Sequence, residues 1–150
     1  MQKSQIIISR DEIQRRVCEL GKQITADYAG SRLVVIGVLN GAFVFVADLI
    51  RQIDLDLEID FIRVASYGSK TTSTGTISFT KDIEISLADK EVLLVDDIVD
   101  TGRTLSYIKK VFRERDAQSV RVCALIDKRE RRQIAVNLDY VGFKIDQGFL

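Results

Sequence analysis

One stretch constrains this chain more than any other. A short apolar run, Val92-Leu93-Leu94-Val95, ends directly in two adjacent carboxylates, Asp96 and Asp97. A run this short and this rich in Val and Leu reads as a strand buried on both faces. Asp100 follows closely, and then the small, hydroxylic Thr101-Gly102-Arg103-Thr104. A helical pattern comes next, with Leu105, Ile108 and Phe112 on one face and Lys109, Lys110, Arg113 and Arg115 elsewhere. The element is therefore strand, acidic pair, tight loop, helix. Carboxylates packed this closely repel, and burying them unpaired is costly. They are tolerable at the open end of a strand, where a cation or a hydroxyl-rich ligand can meet them. The N–H groups of such a loop and of the helix start favour a phosphate.

These residues point to a phosphorylated sugar. The phosphate would lie in the 101–104 loop and the sugar hydroxyls on Asp96 and Asp97, with room for a divalent cation nearby. A single strand-end aspartate usually marks no more than a solvated, Asp- and Thr-capped turn. A carboxylate pair, a third acid and a T-G-x-T loop together weigh against that plainer reading.

The segment Glu91 to Leu105 resembles the phosphoribosyl-pyrophosphate motif of the type I phosphoribosyltransferases. That motif is an apolar strand, two acids, two apolar residues, then D-T-G-x-T, and every position matches. Within that class the chain is most similar to the hypoxanthine-guanine phosphoribosyltransferases. The stretch V-I-G-V-L-N-G-A-F-V-F-V-A-D-L-I-R resembles their pyrophosphate loop, which would be Leu39, Asn40 and Gly41. In that family a strained, often cis, peptide follows the Leu matching Leu39, and Lys often stands where this chain has Asn40. Ser66 and Tyr67, followed by a polar loop, resemble the family's active-site lid. Lys128 resembles the Lys that hydrogen-bonds the purine 6-oxo group. Ile98 falls beside the purine, V-G-F-x-I leads to Phe149 as the stacking aromatic, and Leu150 offers backbone groups to the base edge. At Leu150 the chain stops before the family's downstream Asp and Arg, so a shortened domain over 1–150 is the expectation.

The resemblance implies an α/β fold, a mostly parallel sheet flanked by helices with an antiparallel hairpin lid. It implies phosphoribosyl pyrophosphate and a 6-oxopurine base as substrates, with a nucleoside monophosphate and pyrophosphate as products. Mg2+ would be held near Asp96 and Asp97. Asp100 would act as general base or acid at the purine imidazole nitrogen, with Thr101, Gly102, Arg103 and Thr104 on the 5-phosphate. A homodimer or homotetramer is expected.

The rest of the chain fits this reading. At 150 residues, 46% hydrophobic, it is one domain with a real core. Lys plus Arg and Asp plus Glu are both 22, so no global basic field exists to hold nucleic acid or an anionic membrane. There is no His, so acid–base work falls to carboxylates, Lys or Tyr. The Ile6-Ile7-Ile8 run is too short for a signal peptide or a span. Cys18 and Cys123 read as reduced core thiols, and a cytoplasmic location follows.

Ser9 and Glu12 form a capping box ahead of a helix carrying Ile13, Val17, Leu20 and Ile24. Leu33–Leu39 reads as a strand, Phe43–Ile53 as a largely buried helix, and Leu57–Tyr67 with Thr76–Phe79 as a hairpin around a polar tip. Ser119–Ile126 and Asp139–Ile145 are further strands. The charge cluster from Asp127 to Arg132 reads as a solvated turn, with Arg132 a candidate anion contact.

Three other readings fit the residues less well. A transferase for adenine or a pyrimidine is disfavoured by Lys128, which is a donor only and suits an oxo group. A phosphoribosyltransferase-like RNA-binding attenuator would need a basic face. A phospho-acceptor receiver domain carries its acidic pair on the first strand, whereas here two strands and a hairpin precede it.

Overall fold

A computed structural model describes residues 8–67 and 76–145. The polar tip of the expected lid, the Ile6-Ile7 run, Phe149 and Leu150 lie outside those residues.

The first helix, α1 (Arg10–Asp27), starts where the capping box places it. Ser9 Oγ accepts from Glu12 N at 3.1 Å and Ser9 N donates to Glu12 Oε1 at 2.9 Å. It is followed by β1 (Leu33–Val38), α2 (Phe43–Ile50), β2 (Leu57–Tyr67) and β3 (Thr76–Lys81). Then come β4 (Glu91–Val99), α3 (Arg103–Glu114), β5 (Ser119–Lys128), a 3-10 turn (Arg129–Arg131) and β6 (Tyr140–Ile145). Among the described residues the strands form one sheet in the order β3-β2-β1-β4-β5-β6. All neighbours run parallel except β2 and β3, the antiparallel hairpin. The expected fold class is therefore the one observed.

From β1 the chain steps outward through β2 and β3, then returns to the other side of β1 and steps the opposite way through β4, β5 and β6. Right-handed crossovers in opposite directions put helices on opposite faces. Accordingly α1 and α2 cover one face with Leu20, Ile24, Phe45, Leu49, Leu93 and Val95. On the other face α3 packs Leu105, Ile108 and Phe112 against Val34, Ile36, Leu94 and Val122. The reversal lies between β1 and β4, and the crevice at the carboxyl ends of strands flanking such a point is where ligands bind in open α/β sheets.

Several boundaries differ from the sequence reading. β4 does not stop at Val95. Its ladder with β1 ends at Gly37–Val95, but Asp96, Ile98 and Val99 go on pairing with Ala124, Ile126 and Asp127 of β5. The acidic pair thus sits in a strand that outruns its neighbour. β5 likewise continues to Lys128 because β6 pairs with it to the end. Helix α2 ends at Ile50, and its first turn is open rather than buried, Phe43 being 59% and Val44 63% exposed. Lys109 lies on the buried face of α3. Burial, with Arg113 adding to it, lowers its ammonium pKa.

Of the cysteines, Cys123 is buried and Cys18 half-buried, both as free thiols, and burial pushes the Cys123 thiol up to about 12. Tyr28 is fully buried beneath the Arg121 guanidinium, 5.3 Å from the ring centroid, and its hydroxyl has no hydrogen-bond partner among the described residues. An unsatisfied buried hydroxyl costs about 1–3 kcal/mol of desolvation. Tyr28→Phe keeps the ring and removes that group. It is expected to leave stability unchanged or raise it by up to about 1 kcal/mol in urea unfolding; a loss larger than that would mean the hydroxyl is satisfied in solution.

Candidate active site

The alternation of β4 divides the acidic stretch between the two faces of the sheet. Asp96 and Ile98 fall on the side of Leu94 and α3; Asp97 falls on the side of Leu93, Val95 and α2. On the α3 side a cavity of about 240 Å³ opens at the strand ends. Asp96, Ile98, Asp100, Thr101, Gly102 and Thr104 line it, with Val38 and Val64 as an apolar wall. Every residue of the expected phosphate loop except Arg103 thus borders one cavity. Ile98 is 40% exposed, an apolar surface beside carboxylates, which suits a flat base.

On the α2 side, Asp97 meets the expected pyrophosphate loop. A Cβ at Gly41 would lie 2.8 Å from Asp97 Oδ2, so only glycine lets the loop backbone approach this closely. The Leu39–Asn40 peptide is cis, as the resemblance implies. Leu39 N donates to Ile62 O at 2.8 Å and Phe43 N to Asn40 O at 3.2 Å, tying the loop to β2 and to the start of α2. The acidic pair thus serves two neighbouring walls rather than one.

Burial, and after it the Asp97 side chain alongside, pushes the Asp96 carboxyl well above the ordinary carboxylate range. The Asp97 N–H that Asp96 Oδ1 accepts at 2.9 Å pulls the other way and does not prevail. A group whose folded-state pKa is raised stabilises the fold fully below its unfolded value. That stability is lost as pH rises through the raised one. Asparagine stays neutral and escapes the loss. In metal-free protein Asp96→Asn is therefore expected to melt above the wild type at pH 7, by about 2–4 °C per kcal/mol relieved. The gain should shrink as pH is lowered towards about 4. A gain that is constant with pH would rule out protonation as its cause.

Asp100 closes the cavity. Its Oδ1 is buried and accepts no hydrogen bond among the described residues, and Arg131 Nε stands 3.6 Å from it. Arg131 is exposed, as a solvated turn implies, whereas the Arg132 side chain is half-buried. Arg132 is not a free anion contact, since it donates to the Asp100 carbonyl and pairs with the buried Asp127. Gly102 caps α3 at φ +86°, a conformation that favours glycine, and a Cβ there would lie 2.5 Å from Ile134 O. Arg103 N–H is taken by Thr101 Oγ at 3.3 Å.

Lys128, the last residue of β5, falls on the same face as Ile126, which pairs with Ile98. The strand ends thus carry Asp96, Ile98 and Lys128 side by side on the α3 face. Ser66 and Tyr67 close β2 at the base of the hairpin, where Ser66 is exposed and pairs with Ile77.

Arg63 was missed from sequence. Its Nη2 lies 3.4 Å from Asn40 Oδ1, which brings a guanidinium to the loop where the family often has Lys. Strand alternation was the available signal. It sets Arg63 on the same face as Phe61, next to the position at which β1 hands over to the loop.

A phosphoribosyl transferase domain profile matches residues 9–150. The chain is 42% identical over 145 residues to the hypoxanthine-guanine phosphoribosyltransferase of Bacillus subtilis, covering 97% of this chain and 81% of that protein. It is 43% identical to the bifunctional TilS/HprT protein of Listeria innocua, of which it spans only 22%. Among solved structures, a hypoxanthine phosphoribosyltransferase from Staphylococcus aureus superposes with a TM-score of 0.91 at 40% identity, over 95% of this chain and 77% of that one. With its acidic strand end, its glycine-backed loop and its six-stranded switch-point topology, the chain belongs to the phosphoribosyltransferase family, among the hypoxanthine-guanine enzymes.

Proposed function

We propose that this chain transfers the 5-phosphoribosyl group from phosphoribosyl pyrophosphate to a 6-oxopurine, hypoxanthine or guanine. The products are the nucleoside monophosphate and pyrophosphate, a purine-salvage reaction. The observation that carries the reading is the cavity in which Asp96, Ile98, Asp100 and the 101–104 loop converge. It suits a phosphate, a polyhydroxyl ring and a flat base together.

In this reading the Thr101–Thr104 loop takes the 5-phosphate and Asp96 the ribose hydroxyls. The Leu39–Gly41 backbone, with Arg63 beside it, faces the pyrophosphate. Lys128 donates to the 6-oxo group and Ile98 packs on the ring. Asp100 holds or takes the proton at the imidazole nitrogen, for which its buried Oδ1, without a hydrogen bond among the described residues, is suited. As the glycosidic bond loosens, positive charge grows on the ribose, and the carboxylates at the strand ends stabilise it.

Among the described residues no cluster of three or more acidic, Cys or His side chains forms a metal cage. The donor set nonetheless fits Mg2+, which commonly takes one or two carboxylates and completes its shell with substrate phosphates and water. Asp96 and Asp97 would be those carboxylates, their side chains lying within reach of each other at the open strand end. When bound, Mg2+ supplies charge neutralisation for the departing pyrophosphate.

No helix among the described residues is long and apolar enough to cross a membrane, and we place the enzyme in the cytoplasm. The exposed Phe43 and Val44, directly after the pyrophosphate loop, suit a contact between copies in a homodimer or homotetramer. The decisive experiment is pyrophosphate release from phosphoribosyl pyrophosphate with Mg2+ and each purine base in turn. Release with hypoxanthine or guanine and not with adenine is expected; release only with adenine, or with none, overturns the reading.

A further inference from the structure

Three consecutive carbonyls at the entry to the phosphate loop, those of Val99, Asp100 and Thr101, are taken by one short segment that follows the 3-10 turn. Arg132 Nε donates to Asp100 O at 2.9 Å and its Nη2 reaches Val99 O at 3.5 Å. Gln133 N and Ile134 N donate to Thr101 O at 2.8 and 3.1 Å. The same Nη2 pairs with Asp127, a buried carboxylate at 6% exposure. The strap lies tight against the loop, because a Cβ at Gly102 would meet Ile134 O at 2.5 Å and Arg132 Cδ at 2.9 Å.

Only a planar, forked cation satisfies this arrangement. Arginine offers donors at fixed angles to separate acceptors at once, whereas an ammonium is a point charge on a flexible stem. The groups it joins are also distinct in role. Asp127 belongs to β5 next to Lys128, while Val99 and Asp100 lead into the phosphate loop.

We propose that Arg132 is a positioning residue of the transfer reaction. It touches neither substrate. It ties the loop to the base-reading end of β5, and so holds the Asp100 carboxylate and the phosphate cradle in register with the base. This rests on the reading above that the 101–104 loop takes the 5-phosphate. Misplacing a cradle by an ångström is enough to slow an oriented reaction by about a hundredfold.

The test compares R132K and R132A with wild type in steady-state kinetics, thermal melting and calorimetric binding of phosphoribosyl pyrophosphate. R132K keeps a cation for Asp127 and is expected to melt close to wild type. It should lose at least about tenfold in kcat/KM for phosphoribosyl pyrophosphate, while KM for hypoxanthine stays within about threefold. In R132A, added guanidinium at low, non-denaturing concentration should restore part of the turnover, and ethylammonium should not. Wild-type kinetics in R132K would overturn the proposal. So would equal losses for both substrates that track the fraction folded. If R132A does not fold, R132K alone decides. If the wild type transfers to no base, the functional reading falls instead. The positioning role is then read from calorimetry, where about tenfold weaker donor binding in R132K supports it and unchanged binding refutes it.

Discussion

Asp100→Asn is expected to lower kcat by about 10²–10⁴-fold, the usual worth of a positioned acid–base group. Melting and donor binding should be close to wild type. Asparagine has nearly the shape of aspartate, so the cavity wall is retained. The Arg132 clasp holds the backbone carbonyl of residue 100 and not its side chain, so the loop keeps its support. What disappears is a buried oxygen able to take a proton, Oδ1, which accepts no hydrogen bond among the described residues. The Arg131 guanidinium at 3.6 Å loses its ion-pair partner, but that pair is largely exposed and contributes little. Steady-state kinetics beside calorimetric binding of phosphoribosyl pyrophosphate separate the possibilities. Near-normal turnover would remove Asp100 from proton transfer. A parallel collapse of donor affinity would make it a binding group instead.

Much of this site was legible because each of its parts breaks a local rule. Adjacent carboxylates at the end of a buried strand, and a glycine between threonines ahead of an amphipathic helix, conflict with stability taken alone. Such conflicts are where function is expected. The fold was legible for the opposite reason. Apolar runs at β1, β4 and β5, and the capping box at Ser9, agree locally with the element they form. Long-range geometry was not legible. β4 continues past Val95 because β5 and β6 are there to pair with it, which no property of Asp96 or Ile98 reveals. The exposed first turn of α2 has the same composition as a buried one. Arg132 reads from sequence as a candidate anion contact, because the carbonyls that claim it lie some thirty residues earlier in the chain. Arg63 joins Asn40 only through the parallel register of β1 and β2.

Lys128→Ala should act on the base and spare the donor. Lys128 ends β5, in the same alternation as Ile126, whose partner across the ladder is Ile98. A purine resting on Ile98 would therefore present an edge towards Lys128, while the phosphate is expected at Thr101, Gly102 and Thr104, which line the same cavity. Lysine can only donate, so it rewards an oxo group and leaves an exocyclic amine unpaired. Losing a charged hydrogen bond costs about 1.5–3 kcal/mol, or roughly ten- to hundredfold in apparent affinity for hypoxanthine and guanine. The KM for phosphoribosyl pyrophosphate should change little, because none of its expected contacts comes from β5. Discrimination against adenine should weaken as well, since a site that loses its donor no longer penalises the amine. Kinetics with hypoxanthine, guanine and adenine at saturating donor provide the measurement. Equal losses for base and donor would assign Lys128 to the architecture of β5. A base affinity that falls while adenine stays as strongly rejected would mean that another group reads the 6-position.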